Sequence, residues 1–120
     1  MAAPNLLTST TVTGKTAGQA ITTSATAIVS NAASSGKVLK VNSLYISNID
    51  GTASADVTVD VFKGGATAYR LAYLITVPPK STINVIAKDV SVYLEENDSL
   101  RLTASANGDL EGVCSYEDIS

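Results

Sequence analysis

The 120-residue chain has no histidine and no tryptophan, one cysteine, one methionine, one phenylalanine and three prolines. Each shortage closes a class of chemistry. Without imidazole there is no Ser-His-Asp or Cys-His relay, and the commonest metal ligand is missing. A single cysteine, Cys114, allows no disulfide within the chain, so a disulfide-stapled scaffold is excluded. The sequence around it, Val113 and Ser115 with acidic residues beyond, offers no base or cation to raise a thiolate, and a small buried thiol is the expected role. No apolar run approaches the roughly 18 residues of a membrane helix. "MAAPNLLTSTT" lacks the charged start and long apolar stretch of a secretion signal, so the expectation is a protein that stays where it is made unless something carries it out.

Cationic charge is also scarce. Eight Lys and Arg face eleven Asp and Glu, a net charge of −3, whereas binding nucleic acid needs clustered cations. Residues 1–88 carry seven Lys/Arg against three Asp, a balance of +4. Residues 89–120 carry eight acids against Arg101, a balance of −7. The two parts are complementary in sign, either within one fold or between neighbouring copies.

What the chain has in abundance is Thr (14), Ser (14), Ala (16) and Val (12). Thr and Val are stiff at χ1 and fit a pleated sheet better than a helix. At this length one domain can bury about two-thirds of its unfolded surface without metal or disulfide. Residues 1–36 form a low-charge zone in which Lys15 is the one charged side chain. They read as an arm, or as edge strands near 9–13 and 19–30. Residues 37–120 read as the sandwich domain.

In "KVLKVNSLYISNI" the apolar phase slips between Leu39/Val41 and Leu44/Ile46, which calls for a bulge near Asn42–Ser43 or a strand buried on both sides. "IDGT" reads as a turn with Gly51 at positive φ. "ADVTVDVFK" alternates, with Val57, Val59 and Val61 inward and Thr58 and Asp60 outward. "GGAT" follows as a turn. "AYRLAYLITV" places Tyr69, Leu71, Tyr73, Ile75 and Val77 on one face before Pro78–Pro79 stops the strand. "TINVIA", "VSVYL", "LRLTA" and "LEGVCSYE" are further strands, with Asn-Gly in "ANGD" as a hairpin signal. The fold class is all-β: an antiparallel β-sandwich, jelly-roll-like or immunoglobulin-like, of about eight strands with an N-terminal arm.

Possible sites are few. "TGKT" at Thr13–Thr16 resembles the end of a phosphate loop, but Ser9 stands where the first glycine belongs, so it reads as a polar turn. Glu95, Glu96, Asn97 and Asp98 offer oxygen ligands without the glycine of a calcium loop, and read as a solvated turn. A carboxylate pair for glycoside cleavage would want aromatic platforms. The five tyrosines (45, 69, 73, 93 and 116) mostly share strand phase with core residues.

The stretches "SLYISNIDGT", "ADVTVDVF", "VYLEENDSLRLTASANGDLE" and "SYEDI" resemble small virion structural proteins of tailed bacteriophages, notably those of marine bacteria and cyanobacteria. The resemblance covers residues 38–120 and implies a virion component with no enzymatic activity and no cofactor; from the residues themselves no metal site is expected either. On that reading the chain is a capsid decoration (cement) protein bound to the major capsid protein or other virion proteins. It would be a homo-oligomer, for instance a trimer, located in the virion after assembly in the host cytoplasm. A tail, neck or fibre-associated component is the alternative, and a carbohydrate-binding module a third reading. The residues expected to meet a partner are Ala2, Pro4, Asn5, Leu6 and Leu7, since each fully buried leucine contributes about 1.5–3 kcal/mol. Neither nucleic acid nor membrane is expected as a partner.

Overall fold

The computed structural model describes residues 4–120. Nine strands are present among them: β1 (Val12–Ile21), β2 (Thr26–Ser30), β3 (Val38–Asn48), β4 (Ala55–Lys63), β5 (Thr67–Val77), β6 (Thr82–Ile86), β7 (Val92–Leu94), β8 (Ser99–Ala104) and β9 (Leu110–Ile119). One 3-10 turn, Lys88–Val90, separates β6 from β7. All pairing is antiparallel.

One sheet runs β1-β9-β3-β6, with β7 also on β3; the other runs β2-β8-β4-β5. Apart from the β4–β5 hairpin and the β6–β7 step, consecutive strands change sheets. β6 pairs with Leu44–Ser47 and β7 with Leu39–Val41, so the two are one strand interrupted by the 3-10 turn. Counted that way, eight strands form two four-stranded sheets in jelly-roll order, and the immunoglobulin-like alternative falls away.

The core explains the pattern. Val57, Val59 and Val61 of β4 face Leu100, Leu102 and Ala104 of β8 within one sheet, and all are buried. Leu39, Val41, Leu44 and Ile46 of β3 are buried together, because the register shifts between Val41 and Ser43. That is the expected bulge: one extra residue returns the second half of the strand to the core face. Gly112 of β9 lies against Leu102 of the opposite sheet, leaving no room for a Cβ.

The turns differ from expectation in instructive ways. Gly64 and Gly65 both take positive φ (62° and 67°), as a tight hairpin requires, and join β4 to β5. "ANGD" is no hairpin. Gly108 is left-handed, but β8 and β9 lie in different sheets, and the turn carries the chain between layers while Asn107 Oδ1 accepts the Thr23 amide. Gly51 does not adopt positive φ. Its turn is held by Asp50, whose carboxylate accepts the amides of Thr52 and Ala53, and these bonds hold the Asp50 pKa below the usual range. "TGKT" is not a turn but the exposed start of β1.

Candidate interaction surfaces

The acidic C-terminal third is largely tied inward. Asp98, expected in a solvated turn, is buried. Its carboxylate accepts the Lys63 ammonium at 2.6 Å and the amides of Gly64 (2.9 Å) and Glu95 (3.0 Å). Burial pushes the Asp98 pKa up, but Lys63 and the two amides outweigh it and hold the carboxyl below the ordinary range. Glu95 reaches the same ammonium at 2.8 Å, and both acids raise the Lys63 pKa. Glu96 accepts the Gly36 amide, and Asn97 donates to the Gly64 carbonyl. Backbone bonds between Asn31 and Asn97–Asp98 complete a clasp joining three loops.

A second knot sits on the other sheet. Asp118 of β9 bridges Lys15 of β1 (2.9 Å) and Lys37 (3.2 Å). Asp60 of β4 is on the outer face, as expected, yet buried, because Arg101 of β8 lies across it at 2.8 Å and stacks over Phe62 at 3.9 Å. The opposite charges of the two parts of the sequence therefore meet within one fold. Among the described residues no group of three or more acidic or cysteine side chains converges as metal ligands would. Cys114 is fully buried and free, and burial pushes its thiol up to about 11. No described helix is long and apolar enough to cross a membrane.

Two surfaces remain. The first is the segment before β1, where Ala2 lies outside the described residues. Asn5 caps a turn: its side chain accepts the Leu7 amide, and its carbonyl accepts the Thr8 amide. Pro4 and Leu6 line an open cleft with Val38, Tyr93 and Glu95, while Leu7 is 94% exposed. The root is fixed, since Thr10 and Thr11 exchange backbone bonds with Ser120.

The second surface is β5, and it corrects the sequence reading. Tyr69, Leu71, Tyr73 and Ile75 were expected in core phase with Val77; only Val77 is buried. Register shifts between Val57 and Val59 and between Val59 and Asp60 push residues of β5 out of the ladder. Leu74 sits at φ 51°, its amide donating to Thr58 Oγ1. Across from the inward valines stand Tyr69, Ala72 and Ile75, so the shifts displace Leu71 and Tyr73, while Tyr69 and Ile75 keep the expected register but lie exposed on the edge strand. Tyr45 and Tyr93 are exposed as well, so among the tyrosines only Tyr116 packs on the core. The readable signal was "AYLI" (Ala72–Ile75), a break in alternation that marks inserted residues.

No family model matches this chain, and no curated protein matches it in sequence. Two solved structures share its fold. A chain from the structure of Bacillus endospore appendages, described as disulfide-linked pili, aligns over 90% of this chain and 85% of its own at 17% identity with a TM-score of 0.53. A chain from the acidic-stable capsid structure of Helicobacter pylori bacteriophage KHP30 aligns over 93% of this chain and 90% of its own at 13% identity, also with a TM-score of 0.53.

Proposed function

We propose that this chain is a virion structural protein that decorates a phage capsid, docking on the major capsid protein and working by adhesion rather than by turnover. The observation that carries the reading is the jelly-roll order together with its likeness to a chain from a phage capsid structure. The chemistry agrees. Its buried carboxylates are occupied by lysine, arginine and backbone amides, and its thiol is buried. The docking element in this reading is the tip of the N-terminal segment, Pro4 to Leu7 with Ala2, because Leu7 projects into solvent from a rooted turn. Many such contacts, each worth only the burial of a leucine or two, would sum to firm attachment on a symmetric shell.

A second reading, a tail, neck or fibre-associated component, has the likeness to the pilus chain in its favour. The disulfide linkage described for those pili does not carry over, since this sequence has only the buried Cys114.

The test is saturation binding of purified protein to phage heads stripped of it. Deleting residues 2–9 spares the Thr10–Thr11 ladder with Ser120. Full-length protein should saturate the heads and the truncated one should fail to bind while melting normally. Undiminished binding by the truncated protein would rule out the arm, and no binding by the full chain would rule out decoration.

A further inference from the structure

Two places in the chain set an Asp or Asn side chain directly before a glycine: Asp50-Gly51 and Asn107-Gly108. In such a pair the glycine amide nitrogen can attack the side-chain Cγ, because glycine has no Cβ to shield it. The fold treats the two pairs in opposite ways.

Asp50 is closed to that chemistry. Its Oδ1 accepts the Thr52 amide at 2.9 Å, the Ala53 amide at 3.3 Å and the Thr52 hydroxyl at 3.2 Å. Hydrogen bonds to the charged form keep a carboxyl ionised, and a carboxylate carbon resists nucleophiles. The Lys80 side chain also lies over Gly51, 3.5 Å from where a Cβ would stand.

Asn107 is open to it. Its amide is neutral, so no charge repels a nucleophile. Asn107 and Gly108 are both exposed, and nothing lies within 4 Å of the place a Gly108 Cβ would take. Among the described residues no backbone carbonyl accepts the Gly108 amide. Gly108 sits at φ 85°, which glycine alone adopts without strain, so the turn itself demands the unshielded residue. Asn107 Oδ1 accepts the Thr23 amide at 3.0 Å. That bond draws electron density from Cγ and ties the β8–β9 turn to the β1–β2 turn. The other six asparagines each precede a residue with a Cβ, and Asn31 and Asn48 are buried as well.

We infer that Asn107 is a spontaneous modification site, at which the folded chain deamidates through Gly108. The Gly108 nitrogen gives up its proton and bonds Asn107 Cγ. The Cγ–Nδ2 bond breaks, and ammonia leaves with that proton. Water then opens the cyclic imide at either carbonyl, giving aspartate or isoaspartate at position 107. Neither an oxidant nor a cofactor takes part. Isoaspartate routes the backbone through the former side chain, which displaces the oxygen that held Thr23. The new carboxylate also arrives two residues from Asp109, whose pKa burial and then the Asp50 carboxylate already push up. The converted turn is therefore looser and more negative than the one it replaces. None of this depends on the virion role.

The test is incubation of the whole folded protein in warm, mildly alkaline buffer beside the same chain unfolded in urea. Tryptic peptide 102–120 holds Asn107 as its one amide side chain, so its exchange of NH2 for OH reads that residue alone. The folded chain should convert at a rate within about tenfold of the unfolded one, with isoaspartate identified by electron-transfer fragmentation. Asn107→Gln, whose longer side chain closes a larger ring slowly, should keep its amide. Peptide 41–63 from the folded protein should show no isoaspartate at Asp50. The converted fraction, separable by its added charge, should melt below the parent. Conversion more than about tenfold slower in the folded chain, a barrier raised by about 1.4 kcal/mol, would overturn the inference. So would isoaspartate at Asp50 in equal measure, and an unchanged melt would overturn the loosening of the turn.

Discussion

Lys63 Nζ lies 2.6 Å from Asp98 Oδ2, and the pair joins the β4–β5 hairpin to the turn between β7 and β8. Asp98 is buried while Lys63 is partly exposed, so the carboxylate depends on its partners more than the ammonium does. Asp98→Asn removes the charge and weakens two amide contacts. The expected cost is about 1.5–3 kcal/mol, read as a Tm roughly 6–12 °C lower.

The same geometry sets the acid response. Asp98 and Asp118 both have carboxyls held below the ordinary 3.8 in the fold. Below that value the unfolded chain takes up protons that the folded one refuses, so acid favours unfolding. Stability should be flat above about pH 5 and should fall as pH drops below 4 toward the lowered values. Asp98→Asn should make that fall shallower. An equally steep decline in the variant would assign the acid response to other carboxyls.

Gly112 and Leu102 set the distance between the sheets. A Cβ on Gly112 would lie 2.7 Å from Leu102 Cδ1, inside a fully buried layer. Gly112→Ala should cost about 1–3 kcal/mol through overpacking, and Leu102→Ala in the same background should recover part of that loss by vacating the space. Denaturant melts of the two single variants and the double variant give the coupling directly.

Cys114 should be inert. Its thiol is buried and pushed up to about 11, so the folded protein should give no reaction with a disulfide reagent at pH 8 and one equivalent after denaturation. Prompt reaction of the native protein would mean that β9 opens far more readily than a central strand should.

Leu74 holds a left-handed backbone conformation in β5. Leu74→Gly relieves a left-handed leucine, and the folded chain should melt at the same temperature or higher. A large loss of stability would show that the leucine serves the chain's own packing.

The sequence carried the sandwich in its alternation and composition, and the slip between Val41 and Leu44 even located the β3 bulge. It misplaced Leu71 and Tyr73 because strand faces repeat every two residues: one residue pushed out of the ladder reverses the facing and the second restores it, so Tyr69 and Ile75 keep the register of the inward valines and are exposed at the open edge of the sheet. The acidic turn was misjudged for a different reason: Lys63 lies 35 residues before Asp98, and nothing local to "EENDS" reveals the ammonium that neutralises it. Turn residues were legible as turns, yet Asn107–Gly108 could not disclose whether the chain would return within its own sheet or cross to the other.

The central claim, a jelly roll that works by adhesion in a virion, is tested most directly by counting copies of this chain in purified particles with quantitative mass spectrometry and locating them by electron microscopy. Decoration predicts hundreds of copies at fixed positions on the head surface. Particles that lack the chain altogether would contradict the claim, and a handful of copies confined to the tail or neck would contradict decoration.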